Sequence, residues 1–271
     1  MRTRLLAAVL GAGLVLTACA EQSSGSPAPR VQLPTGDDDL VLRIAYTGGY
    51  VTPTTTVSRL PLVAVYRDGR VFSEGPVTAI YPGPAWPNVQ VGQLDEAQVQ
   101  RIAEAAMDAG VADTADLGSP GIADAPTTVF TLATAEETFT REVYALREGT
   151  SGPGVTPEQQ DARAALSELL DELTSSQDPT TAYEPTAVAA IAEPYLPPED
   201  ATLTRDPVAW PGPALPGDPV GPGIGCVVAG SEVTAAAQAA DTLTPWTSEG
   251  ETWTVTFRPL LPDETGCADL G

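Results

Sequence analysis

Apolar and polar positions change period several times along the chain, and each change marks an element. Leu40 to Ala45 is an aliphatic run closed by Gly48-Gly49, which predicts a strand. Leu60 to Tyr66 and Arg70 to Phe72 are two more such runs, separated by Asp68-Gly69. That dipeptide predicts a hairpin with a type I′ turn, whose central residues both need positive φ. Val77 to Tyr81 reads as a further strand.

The period then shifts to that of a helix. Asp95 with Gln98 forms a capping box, Leu94 can staple against Val99, and Gly110 stands where a C-terminal glycine cap belongs. Val99, Ile102, Ala103 and Ala106 supply the buried stripe. Thr127–Ala133 and Thr138–Leu146 predict a hairpin rich in β-branched and aromatic residues. Thr156, Pro157 and Gln159 open a second helix, with Ala162, Leu166, Leu169, Leu170 and Leu173 inward and Glu168, Asp171 and Glu172 outward. Beyond Gln177, strands are expected at Ala187–Ala192, Cys226–Ala229 and Thr252–Arg258, with an alanine-rich helix over Ser231–Thr242. The expected fold is therefore α+β, with antiparallel sheets and about three helices. It divides into an N-terminal half, 40–176, and a proline-rich C-terminal half, 177–271. The segment Tyr81-Pro-Gly-Pro-Ala-Trp86-Pro echoes Trp210-Pro-Gly-Pro-Ala-Leu215-Pro. The echo suggests two similar halves; chance repetition among 27 prolines is the alternative.

The first residues carry a different kind of signal. Arg2 and Arg4 precede an apolar run from Leu5 to Leu16, shorter than the roughly 20 residues of a membrane span. This fits a secretory signal peptide over residues 1–18. Leu16-Thr17-Ala18-Cys19 resembles the lipobox of bacterial lipoproteins, in which the cysteine thiol takes the lipid. Two or three acyl chains at about 0.8 kcal/mol per methylene anchor a protein without a span. Residues 19–39 then read as lipidated cysteine and flexible tether, with Ser23-Ser24-Gly25-Ser26-Pro27-Ala28-Pro29 unable to build a core. Asp37-Asp38-Asp39 lacks the alternating ligands and turn glycine of a calcium loop, so it reads as a solvated run.

Charge and cysteine count narrow the chemistry. The chain has 13 basic against 36 acidic residues, net −23, with every base an arginine and no histidine. Nucleic acid is not an expected partner, since it requires a basic footprint. With Cys19 lipidated, Cys226 and Cys267 remain as an even pair in an oxidising compartment and are expected to form a disulfide. Without histidine there is no Ser-His-Asp apparatus and no usual zinc site. Without lysine there is no Schiff base and no P-loop. No cofactor or metal is expected. Carboxylate chemistry of the glycoside-hydrolase type remains open. Contact residues are better sought among Tyr81, Trp86 and Trp210, which stand in Pro-Gly-Pro frames; filling the core from its edge is the competing role. Trp246 and Trp253 read as core.

The lipobox, Leu60-Pro-Leu-Val-Ala-Val-Tyr-Arg-Asp-Gly-Arg-Val71, Tyr-Pro-Gly-Pro-Ala and Arg258-Pro-Leu-Leu-Pro-Asp263 together resemble uncharacterised actinobacterial secreted lipoproteins. The resemblance implies export and lipidation at Cys19, and carries no catalytic residue. The expected function is a non-catalytic binding or accessory module of the cell envelope, lipid-anchored on the extracytoplasmic face, with an envelope protein or glycan as partner. A carboxylate-based hydrolase and a structural envelope protein are the alternatives. Mass measurement of the mature chain should find an acylated N-terminal Cys19, and Cys19→Ala should release the protein or leave it unprocessed. An unmodified N-terminus at another residue would refute the anchor.

Overall fold

The computed structural model describes residues 30–149, 151–175 and 180–270, so Cys19, the signal peptide and most of the expected tether lie outside the described residues. The fold is α+β, with two antiparallel-rich sheets and four α-helices among the described residues. The first sheet contains β1 (Leu40–Gly48), β2 (Val63–Tyr66), β3 (Arg70–Glu74), β4 (Val89–Gln93), β5 (Pro126–Ala133), β6 (Thr138–Tyr144) and β7 (Thr180–Ala182). Their order is β6-β5-β1-β2-β3-β4-β7. The second contains β8 (Val188–Pro194), β9 (Val208–Ala209), β10 (Asp218–Gly221), β11 (Ile224–Ala229), β12 (Trp246–Ser248) and β13 (Glu251–Pro259), in the order β10-β11-β8-β13-β12-β9. The helices are α1 (Pro53–Ser58), α2 (Glu96–Asp108), α3 (Pro157–Thr174) and α4 (Ser231–Gln238).

Strand alternation assigns each face. Val63 and Val65 of β2, Leu42 and Ile44 of β1, and Phe130 and Leu132 of β5 pack against Val99, Ala103 and Ala106 of α2 and Leu166, Leu169 and Leu170 of α3. The intervening Ala64 and Tyr66, with Phe72 and Val89, form a second cluster on the opposite face together with Leu261. The second sheet repeats the logic. Val188, Ala190 and Ala192 face α4, whereas Ala189 and Ile191 face Cys226 and Leu260. Consecutive leucines after β13 thus enter different clusters, Leu260 with the second sheet and Leu261 with the first.

Both capping boxes form as the sequence predicts, at Asp95/Gln98 and Thr156/Gln159. Gly110 (φ 85°) closes α2, with the Val111 amide donating to Ala106 and the Gly110 amide to Met107. Other expectations need correction. The β2–β3 turn is not type I′: Gly69 has φ 91° and Asp68 is not in the positive-φ region. The Gly69 amide donates to Tyr66 at 3.0 Å, giving the type I turn with a left-handed glycine that a three-residue loop uses. Val77–Tyr81 is not a strand but part of an exposed loop; the paired strand comes later, as β4. Helix α1 was not foreseen, since Thr52 and Pro53 cap only six residues. Packing begins at Val31 rather than Leu40: Val31 and Leu33 rest on the first core, and the Asp39 carbonyl accepts from the Arg67 amide at 2.9 Å. The chain passes residue 177 and adds β7 to the first sheet before entering the second.

Two polar devices fix this arrangement. Arg163, fully buried on α3, donates to the carbonyls of Tyr144, Ala145 and Gly149 at 2.8–3.0 Å, gathering a turn in which Ala145 holds φ 50°. Burial alone lowers its pKa from the ordinary value, because no carboxylate is near. The second device ties the sheets together. Arg258 of β13 makes a two-pronged pair with Glu264 at 2.8 and 2.9 Å, both side chains 3% exposed. Glu264 also accepts the Leu261 amide at 2.7 Å. The neighbouring Asp263 takes Arg43 of β1 at 2.8 and 3.0 Å and the Tyr66 hydroxyl at 2.5 Å. Burial works to lower the Arg43 pKa, but Asp263, Tyr66 and Glu264 outweigh it and raise it. Burial, then the hydrogen bond to Asp263, pushes the Tyr66 hydroxyl far up. The Cys226–Cys267 disulfide, Cα–Cα 6.1 Å, clips the end of this segment to β11.

Glu264→Leu should leave Arg258 buried and unpaired, lowering stability by about 3–5 kcal/mol in urea unfolding. Arg258→Met combined with Glu264→Leu should recover most of that loss. A double variant as unstable as the single one would show that the pair is not the tie.

Candidate functional site

The three aromatic contact candidates separate in the structure. Tyr81 is 71% exposed, on a loop that also exposes Val77 and Ile80. Trp86 and Trp210 instead pack against the cluster beneath α4, which contains Trp246 and, at its edge, Trp253, so all four tryptophans of the chain meet there. Trp210 lies edge-on to Trp246 (5.6 Å, 85°) and stacks on Phe257 (6.2 Å, 23°). Its indole N–H donates to the Pro213 carbonyl at 2.6 Å.

The two Pro-Gly-Pro-Ala segments explain this convergence. A proline-rich segment forms few ladder bonds and can cross a surface rigidly. The first crosses from the first sheet to the second: the Ala85 amide donates to Ala240 at 3.1 Å, and the Thr242 amide to Gly83 at 2.9 Å. The second folds beside α4, where a Cβ on Gly212 would stand 2.8 Å from Val233. Edge-filling of a core thus accounts for Trp86 and Trp210, and Tyr81 alone keeps an exposed ring.

The chief concavity lies elsewhere. Helix α2 starts immediately after β4, at the Asp95 cap, and runs back over β1, while α3 packs beside it. Together they cover β6, β5, β1 and β2, leaving the same face of β3, β4 and β7 open. The result is a cleft of about 1090 Å³. Val71, Ser73, Gln90 and Gly92 form its floor, the alternate positions to Phe72 and Val91, which face the other way. Gly92 adds depth by lacking a side chain. Ile102 and Ala105 of α2 and Leu169 and Leu173 of α3 make the apolar wall.

Among the described residues four charged side chains of α2 and α3 line this cleft, those of Arg101, Glu104, Asp108 and Glu172, while Glu74 borders it at the end of β3 and shares the face of Phe72 and Val89. None makes an ion pair among the described residues, whereas Arg43, Arg67, Arg70, Arg147, Arg205 and Arg258 all do. Glu104 accepts from the Gln100 amide at 2.8 Å. Groups around Glu74 exclude enough water to raise its pKa, against the lowering pull of Arg258. Among the described residues the lining holds no aromatic ring. Among the described residues no group of three or more His, Cys, Asp or Glu is placed to hold a metal ion, and no helix is long and apolar enough to cross a membrane.

The cleft was not foreseen, because its lining is drawn from six elements, β2, β3, β4, β7, α2 and α3. One signal was available: residues 75–94 form a run of twenty without a charged side chain, and they supply part of the floor. Searches with the chain find no matching family model, no similar curated protein and no similar solved structure. The contrast between the aromatics is measurable. Trp210→Ala should cost about 3–5 kcal/mol in unfolding, as for a large core ring. Tyr81→Ala should stay within about 0.5 kcal/mol of the parent.

Proposed function

We propose that the chain is a lipoprotein, anchored by lipid on Cys19 at the extracytoplasmic face of the membrane. Its folded unit serves as a non-catalytic binding or accessory module of the cell envelope, and the cleft between α2, α3 and the open face of β3 and β4 is its contact site. The observation that carries the reading is the cleft's composition: an apolar wall and a mixed floor beside charged side chains that make no ion pair among the described residues. Elsewhere most arginines are spent on ion pairs or buried carbonyls. Binding sites typically combine an apolar concavity with a few unsatisfied polar groups.

The hydrolase alternative draws less support. Its carboxylates would need a sugar platform above them, and the exposed ring of Tyr81 is not among the residues lining the cleft. The lipobox and the even cysteine pair support export, since the disulfide belongs to an oxidising compartment.

The test uses the soluble Cys19→Ser form as bait against envelope extract. The parent bait should retain a partner that a Ser73→Trp bait, its cleft floor filled, does not. Equal retention by both would move the contact site elsewhere. Circular dichroism of the Ser73→Trp chain should match the parent, because the position borders open space on that face.

A further inference from the structure

The cleft offers more than concavity, and its charges point to a ligand class. Building on the contact site proposed above, we infer that the cleft takes a basic, partly apolar peptide segment of a partner protein.

Size is the first argument. At about 1090 Å³ the cleft stands at or above the upper end of small-molecule sites, roughly 300–1,000 Å³. A chain segment fills such a groove better than a metabolite does. Shape agrees: the floor runs across β3 and β4 and out to Thr180 of β7, a sheet edge rather than an enclosed pit.

Charge complementarity supplies the sign. Among the described residues three carboxylates, those of Glu104, Asp108 and Glu172, line the cleft with one guanidinium, that of Arg101. Their helix positions are regular: Arg101, Glu104 and Asp108 follow one another on the α2 wall, and Glu172 opposes them from α3. Carboxylates around a low-dielectric groove attract each other's counter-charge more strongly than in open solvent. The whole chain, net −23, adds a field of the same sign that speeds the approach of a cation. An anionic segment meets that field unfavourably at every stage.

The apolar residues set the second requirement. Val71, Ile102 and Leu173, all only partly buried, would remain wet beneath a purely basic segment, whereas alternating apolar and basic side chains cover both surfaces. Extended chain presents alternate side chains to opposite faces, so one set can enter the groove while the other meets the carboxylate rim.

Two synthetic peptides of equal length serve as probes, one alternating leucine with lysine and the other leucine with glutamate. Each is titrated calorimetrically into the soluble Cys19→Ser chain. The Leu-Lys peptide should bind and the Leu-Glu peptide should not. The combined variant Glu104→Gln, Asp108→Asn, Glu172→Gln should weaken Leu-Lys binding about tenfold or more, and Arg101→Gln should strengthen it. Ser73→Trp should abolish it, while neutralising the remote Glu136 and Glu137 should leave it unchanged. Binding of both peptides alike, or of neither, overturns the inference. So does Leu-Lys binding that survives Ser73→Trp or responds equally to the remote acids, since that is attraction to the acidic surface at large. If Leu-Lys binding fails while the parent bait still retains a partner that Ser73→Trp loses, the contact site stands and only its ligand class falls.

Discussion

The segment from Leu260 to Glu264 is held between two sheets by a buried ion pair, and the rest of the structure is organised around that constraint. Arg258 and Glu264 are taken almost wholly out of water, which costs several kcal/mol per charge before any attraction is counted. The geometry offsets this cost by leaving few polar atoms over. Glu264 uses both oxygens on Arg258 and accepts a backbone amide as well. Because Asp263 reaches Arg43 and Tyr66 of the first sheet, the segment cannot shift without exposing charges on both sides. A hydrophobic strap would hold as strongly but could slide. Paired charges specify one register.

The same reciprocity appears in the apolar layers. The C-terminal segment lends Leu261 to the inner face of the first sheet, and the N-terminal half lends Ala85 and Trp86 to the core under α4. Each sheet therefore completes a cluster with residues far away in sequence. Such contacts carry a loop-closure cost, and the disulfide reduces it by tying Cys267 back to β11. The uncharged residues 75–94 take part in two of these layers. They carry Trp86 outward to the second core, and then turn back as β4 to floor the cleft.

The sequence made the local parts legible and hid the long-range ones, for a physical reason. Capping boxes, the β5–β6 hairpin and the disulfide depend on residues close together or on simple pairing arithmetic, and the structure contains them all. Arg163 escaped because a stripe read by hydrophobicity passes over a cation, although Arg163, Leu166 and Leu170 share one buried face. Val77–Tyr81 has strand composition but no neighbour to pair with, so its propensity predicted a strand where the structure has an exposed loop. The Pro-Gly-Pro-Ala echo was visible, yet its meaning was not: the repeat brings two tryptophans to one cluster. The site suffered most, since Ser73, Gln90, Arg101 and Glu172 converge only after the sheet and two helices have packed.

Rigid packing around the cleft bears on what it can do. Its floor is hydrogen-bonded on both sides, β3 to β2 and β4 to β7, and its wall helices are fixed by caps and by the core they share with β1. Neither floor nor wall can collapse to bury Val71, Ile102 or Leu173, so the apolar surface stays available. The fold buries Arg258 against the counter-charge of Glu264, whereas the charged side chains of the cleft make no ion pair among the described residues. Carboxylates without an ion pair are common along this acidic chain; those in the cleft differ in standing beside partly covered apolar side chains. A second molecule that brings counter-charge and apolar surface at once would cover both.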